Sequence, residues 1–262
     1  MKSFFLAAGT LWQRELVRFF RQRSRVVGAL GPPILFWFLI GSGLGASFRL
    51  PGLAAASDAG VTYMQYFFPG TVLLIVLFTA IFSTISVIED RHEGFLQSVL
   101  VAPLSRQSLV LGKIAGGTTL AFIQGLIFLC LAPLAGLSVR PLGLVYLLTM
   151  LGLVSFGLTG LGFFLAWRLD SIQGFHAIMN LFLIPMWILS GALFPVSGAA
   201  VWLQAVMRAN PLTYSLAALQ STFLVQGHSL APAGISIAAS LGITTAFAGL
   251  MYILSVATVR EG

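Results

Sequence analysis

Residues Tyr66–Gly94 read YFFPGTVLLIVLFTAIFSTISVIEDRHEG. They sit in a chain segment with no charge for 30 residues, from just after Asp58 to just before Glu89. A bilayer core of about 30 Å is crossed by roughly 20 apolar helical residues, whereas a barrel strand uses about 10 residues of alternating polarity. This run is too long and too continuously apolar for a strand. It predicts a membrane-spanning α-helix over about residues 67–88. The charges then arrive together, Glu89-Asp90-Arg91-His92-Glu93, before Gly94 breaks the pattern.

The rest of the 262-residue chain has the same character. It is 58% hydrophobic and 8% charged, with a mean hydropathy of +0.99. A soluble domain carries about 25% charged residues, so this chain could not clothe a water-facing surface. A water-soluble enzyme, a disordered tail and a disulfide scaffold are excluded. The remaining gaps between charges are 23, 26, 27, 37 and 51 residues long. They predict an all-α integral membrane protein with six transmembrane helices, at about 27–48, 67–88, 114–136, 142–167, 174–195 and 233–258. Residues 1–26 stand apart as an amphipathic segment, leaving 27–258 as the transmembrane domain.

Fourteen Lys and Arg face seven Asp and Glu, for a net charge of +7. In a soluble protein that excess suggests nucleic acid. Here eleven basic residues fall on the side of the N-terminus and three (Arg49, Arg140, Arg208) on the other. Basic residues collect on the inner face of a membrane, so both termini are expected in the cytoplasm. No signal peptide is expected, because the apolar stretch at Phe4–Leu6 is short and the charges follow it. Cys130, the lone cysteine, lies in an apolar run and forms no internal disulfide.

Three segments do not fit plain spans. Over residues 3–25, at 100° per residue, Phe5, Trp12, Leu16, Phe19 and Phe20 share one face and Arg14, Arg18, Arg21 and Arg25 the opposite one. That pattern suits a helix in the headgroup plane, either as a lipid-attracted anchor or as an interface helix that touches a cytoplasmic partner. Arg23 falls on the apolar face, so either the helix ends near it or its long side chain snorkels to water. The second segment is the connection Glu89, Asp90, Arg91, His92, Glu93, Gly94, Phe95, Leu96 and on to Pro103, Ser105 and Arg106. Gly94 and Pro103 bracket a short helix and Ser105 is a good N-cap; it is a docking element or a solvated loop. The third is Val196–Pro232, too apolar for an ordinary loop. Pro195, Trp202, Asn210, Pro211 and Tyr214 mark it as a re-entrant segment or a compact external cap.

Chemistry of its own is hard to find. Gly112-Lys113 is not a phosphate-binding loop, since Gln107 and Ile114 stand where a glycine and a hydroxyl are needed. No His, Cys or acid cluster has metal-ligand spacing. His176 reads as a hydrogen-bonded helix-packing residue. No acid or base falls inside an expected span, which disfavours an ion-coupled carrier. Gly41 and Gly45 permit close helix packing.

Taken in order, Tyr66-Phe67-Phe68-Pro69-Gly70, Glu89, Glu93-Gly94, Leu100 to Ser105, Leu109 to Lys113, Leu189 to Pro195, Trp202-Leu203-Gln204 and Asn210 to Tyr214 resemble the permease subunit of ABC-2 (type 2) exporters. That family includes drug-efflux, nodulation-factor and polysaccharide export permeases, and the resemblance covers nearly the whole chain. Phe95 stands where a Thr is common, and Gln220 where a basic residue is common. The resemblance implies that Glu89–Arg106 holds a coupling helix for a separate ATP-binding subunit, with residues 3–25 as the interface helix beside it. It implies re-entrant extracellular helices after Pro195. It also implies a bacterial inner-membrane assembly of two permease copies and two ATPase subunits, with ATP and Mg on the partner and no cofactor, metal or nucleic acid on this chain. The nearly charge-free, Phe-rich spans favour a hydrophobic drug-like or lipid-like substrate over a polysaccharide or lipid-linked glycan. A non-transporting membrane anchor is the alternative of another class.

Overall fold

A computed structural model describes residues 2–21, 23–43, 61–101, 105–232 and 234–261. The helices among them are α1 (Lys2–Arg21), α2 (Arg23–Gly43), α3 (Tyr63–His92), α4 (Phe95–Val101), α5 (Arg106–Leu129), α6 (Pro141–Arg168), α7 (Ile172–Trp187), α8 (Val201–Ala209), α9 (Pro211–Thr222) and α10 (Ile237–Glu261). Among the described residues five helices are long and apolar enough to cross a membrane: α3, α5, α6, α7 with the turn that extends it to Ala192, and α10. Val27–Gly43, within α2, is a shorter apolar helix. The rest of the span expected at 27–48 lies outside the described residues.

Helix ends follow local chemistry. Thr62 and Gln65 form a reciprocal capping box on α3, the Thr62 amide donating to Gln65 Oε1 at 3.0 Å. Ser105, Ser171 and Asn210 cap α5, α7 and α9 through their side chains. Pro141 and Pro211 occupy first turns, where no amide hydrogen is required. The expected span at 114–136 is displaced: α5 starts at Arg106 and stops at Leu129, and Ala132–Ala135 form a 3-10 turn. Pro133 and the left-handed Gly136 (φ 74°) do not continue an α-helix.

α3 is the mast of the bundle. Its most apolar stretch is 89% buried, packed against α2, α5, α6, α7 and α9. The corresponding stretches of α7 and α10 are only 22% buried, leaving broad apolar faces uncovered. A small antiparallel sheet departs from the all-helical expectation: Ser138–Val139 (β1) pairs with Phe223–Val225 (β2), which pairs with His228–Ser229 (β3). Gln226 and Gly227 both adopt positive φ (48° and 87°), the geometry of a tight hairpin turn.

α1 is described over Lys2–Arg21 and α2 over Arg23–Gly43, and Arg25 falls within the second of these ranges. α1 lies along α5 in a notch made by two glycines. A Cβ on Gly112 would stand 2.7 Å from the Ala8 carbonyl oxygen and 2.8 Å from Leu11 Cβ, and one on Gly116 would stand 2.6 Å from Glu15 Cβ. Close helix approach through small residues is how helices associate without a hydrophobic driving force. Gly112→Ala is therefore expected to lower stability by about 1–3 kcal/mol through overpacking. Gly152→Ala, with open space around it, is expected to be neutral or slightly stabilising. Thermal unfolding of the two variants in detergent compares them directly.

Candidate functional site

The charged residues expected to form a loop after the second span do not form one. α3 continues through Glu89, Asp90, Arg91 and His92, and the chain turns only at Glu93-Gly94, where Gly94 has φ 74°. The helix carries these charges because each finds a partner. Asp90 is fully buried and receives both nitrogens of the Arg14 fork, Nη1 to Oδ2 and Nη2 to Oδ1, each at 2.8 Å. Arg18 Nη1 donates to the same Asp90 Oδ1, while Nη2 reaches Glu89 at 2.9 Å and Glu93 at 3.3 Å. Bidentate guanidinium–carboxylate pairing of this kind is among the stronger protein hydrogen bonds.

Behind Asp90 lies a residue from a third helix. Lys113 enters from α5 between the two notch glycines and is buried. Its ammonium donates to Glu15 Oε1 at 2.6 Å, to Asp90 Oδ2, and to Ser86 Oγ at 3.3 Å. Ser86 in turn donates to Glu15 Oε2 at 2.7 Å. Glu15, Lys113 and Asp90 therefore form a closed chain linking α1, α5 and α3. Three cations (Arg14, Arg18, Lys113) meet four anions (Glu15, Glu89, Asp90, Glu93). The Asp90 hydrogen bond raises the Arg14 pKa above its ordinary value against the opposing effect of burial.

This lattice revises the sequence reading of α1. The expected basic stripe is present, but Arg14 and Arg18 turn inward onto Asp90, whereas Arg21 is exposed. The protein-facing strip is Ala8, Leu11, Glu15 and Phe19, all buried. Phe5, Trp12 and Phe20 remain exposed, so Phe19 parts company with the apolar face to which it was assigned. Lys113 lies within α5, one residue before the span expected at 114–136.

The same end of the bundle is tied twice more. Arg91 donates to the carbonyls of Trp167 and Leu169 and to Asp170 Oδ1 at 2.7 Å, and His92 Nε2 contacts the Asp170 carbonyl at 2.8 Å. Together they close the C-terminus of α6. Arg106 donates to the carbonyls of Val259 and Arg260 at 2.9 and 2.7 Å, closing α10. Cations on helix-terminal carbonyls satisfy orphan acceptors and favour the helix dipole.

α4 projects from this end. Leu96 is buried, while Gln97, Ser98 and Val101 are exposed. Phe95 lies beneath Arg14, the guanidinium carbon 3.8 Å from the ring centroid, so the base of α4 joins the lattice. Pro103 and the Arg25 side chain lie outside the described residues. Among those described, no group of three or more His, Cys, Asp or Glu is gathered as a metal site.

At the opposite end Pro195, Asn210, Pro211 and Tyr214, four of the five residues expected to mark a re-entrant segment, lie near a break that follows α7. Ile188–Ala192 widen into a π-turn with Gly191 at φ 96°. Tyr66 and Tyr63 hydroxyls donate to the carbonyls of Gly191 (2.6 Å) and Leu193 (3.0 Å), Trp187 Nε1 donates to the Gly70 carbonyl (2.8 Å), and Asn210 Nδ2 to Met186 (2.6 Å). Pro195 caps the short 3-10 turn Val196–Gly198, Pro211 opens α9, and Tyr214 donates to the Arg208 carbonyl at 3.0 Å. Trp202 stands apart, 70% exposed on α8. His176 meets the rings of Phe82 and Phe175 edge-on.

Glu15, Ser86 and Lys113 were not legible as site residues, because they are scattered along the chain. Two signals were present: Glu15 is the one acid among the first 57 residues, and Lys113 is bracketed by Gly112 and Gly116.

The chain is similar to known membrane proteins over most of its length. The sequence pattern of the ABC-2 type transporter family matches residues 7–224. Nodulation protein J of Rhizobium leguminosarum bv. trifolii is 26% identical over 254 residues, covering 96% of this chain and 92% of that protein. The inner membrane transport permease YadH of Escherichia coli is 24% identical over 270 residues, covering 100% of this chain and 98% of that protein.

Removing the charge of Asp90 takes away the one buried acceptor that Arg14, Arg18 and Lys113 share. Asp90→Asn is expected to destabilise the protein by about 3–5 kcal/mol, the size of breaking a buried ion pair from one side. Asp170→Asn, at a carboxylate 87% exposed, is expected to change little; chemical denaturation in detergent separates the two.

Proposed function

The chain belongs to the ABC-2 type transporter family, and from that premise we propose that it is the membrane permease subunit of an ATP-driven exporter. It is a multi-pass membrane protein. The observation that carries the proposal is α4, a short helix hung from the mast helix α3 by the Gly94 turn at the charged end. Its inner side is anchored by Leu96 and by Phe95 beneath Arg14, and Gln97, Ser98 and Val101 on its outer side are exposed. A lever of that kind serves a partner that pushes from the cytoplasm.

In this reading the charged end faces the cytoplasm of a bacterium, with both termini there and six spans in the inner membrane. α4 is the coupling helix, α1 the interface helix, and α8–α9 the re-entrant pair outside. Two ATP-binding subunits hold ATP and Mg. A second copy of this chain covers the apolar faces left open on α7 and α10.

The substrate reading is a hydrophobic drug-like or lipid-like molecule. It is supported by a cavity of about 190 Å³ between α3 and α7, lined by Phe78, Phe82, His176, Met179 and Asn180. A polysaccharide or lipid-linked glycan is the second reading. A groove of about 240 Å³ at the opposite end, where Ser197, Gln204 and Arg208 add polar groups to a mainly apolar lining, favours it.

The test is co-reconstitution in proteoliposomes with the ATPase encoded beside it. Deleting residues 95–101 is expected to cut permease-stimulated ATP hydrolysis and export at least about tenfold, a loss of about 1.4 kcal/mol of coupling. Unchanged hydrolysis and export would overturn the coupling role. An intact wild-type complex that exports neither substrate class would favour a membrane anchor.

A further inference from the structure

The lattice at the charged end joins elements that the proposed transport cycle would otherwise be free to move separately. α4 follows α3 through a glycine turn at Gly94. Asp90 ties α1 to α3, Lys113 ties α3 to α5, and Glu15 closes the ring back to α1. Arg14 extends the ring to α4 through Phe95, and Arg18 extends it to the turn through Glu93. In the glycine notch beneath the ring α1 and α5 approach so closely that a Cβ on Gly112 or Gly116 would clash with Ala8, Leu11 or Glu15. Packed elements of this sort are bistable or rigid rather than continuously deformable.

We infer that Glu15, Lys113 and Asp90 are positioning residues that make α1, the charged end of α3 and the start of α5 one rigid body through the transport cycle. A push on α4 then reaches α3 and α5 together, and α1 does not swing as an independent arm. The inference rests on the exporter reading, and the experiment below separates failure of one from failure of the other.

The separation of α1 from α5 is read by double electron–electron resonance between spin labels at Gln13→Cys and Gln107→Cys. Both positions are exposed, and the background carries Cys130→Ser. The protein is the full chain with its ATPase in lipid nanodiscs, first nucleotide-free and then trapped with ATP and vanadate. The wild-type lattice is expected to give one narrow distance that is the same in both states.

The second measurement uses Glu15→Gln/Lys113→Met, which removes one cation and one anion together. This pair leaves Asp90 on Arg14 and Arg18 and keeps the fold within reach. It is expected to broaden the distance and to lower substrate exported per ATP hydrolysed at least about threefold, within the range by which mutations along coupled networks act. Stimulated hydrolysis itself is retained. A wild-type distance that shifts by several ångströms between the two states overturns the inference, as does unchanged export per ATP in the double variant. A wild-type complex with no ATPase stimulation at all overturns the exporter reading instead.

Discussion

A charge removed from water must be paired where it stands, and that constraint organises this molecule. With only 8% of its residues charged, the chain concentrates charge at one end of the bundle. There every buried acid is answered by a guanidinium or an ammonium from another helix. Asp90 is the centre: it accepts from α1 and from α5 while sitting on α3. The alternative, an unpaired carboxylate at that depth, is expensive enough to decide where α1 lies. The arginine caps on α6 and α10 extend the same logic to helix ends.

The opposite end solves a related problem with neutral groups. Where α7 breaks at Gly191, the freed carbonyls would be orphans at the edge of an apolar bundle. Irregular backbone is tolerated there only when protein satisfies it. Tyr63 and Tyr66 on α3 and Asn210 at the start of α9 supply the donors. The mast helix α3 therefore serves both ends: hydroxyl donors near its start, a carboxylate near its finish, and between them a surface that other helices cover.

Much of this was legible in the sequence. The uncharged gaps give the long apolar helices, because a helix long enough to cross a bilayer leaves an unmistakable run. Gly94, Ser105, Asn210 and Pro211 act as the boundaries that their backbone preferences dictate. What was not legible is pairing across distance. Nothing in the local pattern around Glu89-Asp90-Arg91 says that these charges continue a helix, since their partners Arg14 and Lys113 lie elsewhere in the chain. Likewise the basic stripe of α1 reads as water-facing until Asp90 is placed beside it. The small sheet was missed because its strands are two or three residues long, too short to show a period.

The central claim is that buried charge pairing holds α1 against α3 and α5. Hydrogen–deuterium exchange of the full chain in lipid nanodiscs tests it most directly, comparing the α1 amides of residues 8–19 with those of residues 71–81 in α3. Slow exchange in both segments is predicted for the native chain, with Lys113→Met releasing α1 while α3 stays protected. Rapid exchange of α1 in the native chain, or no change on removing Lys113, would contradict the account.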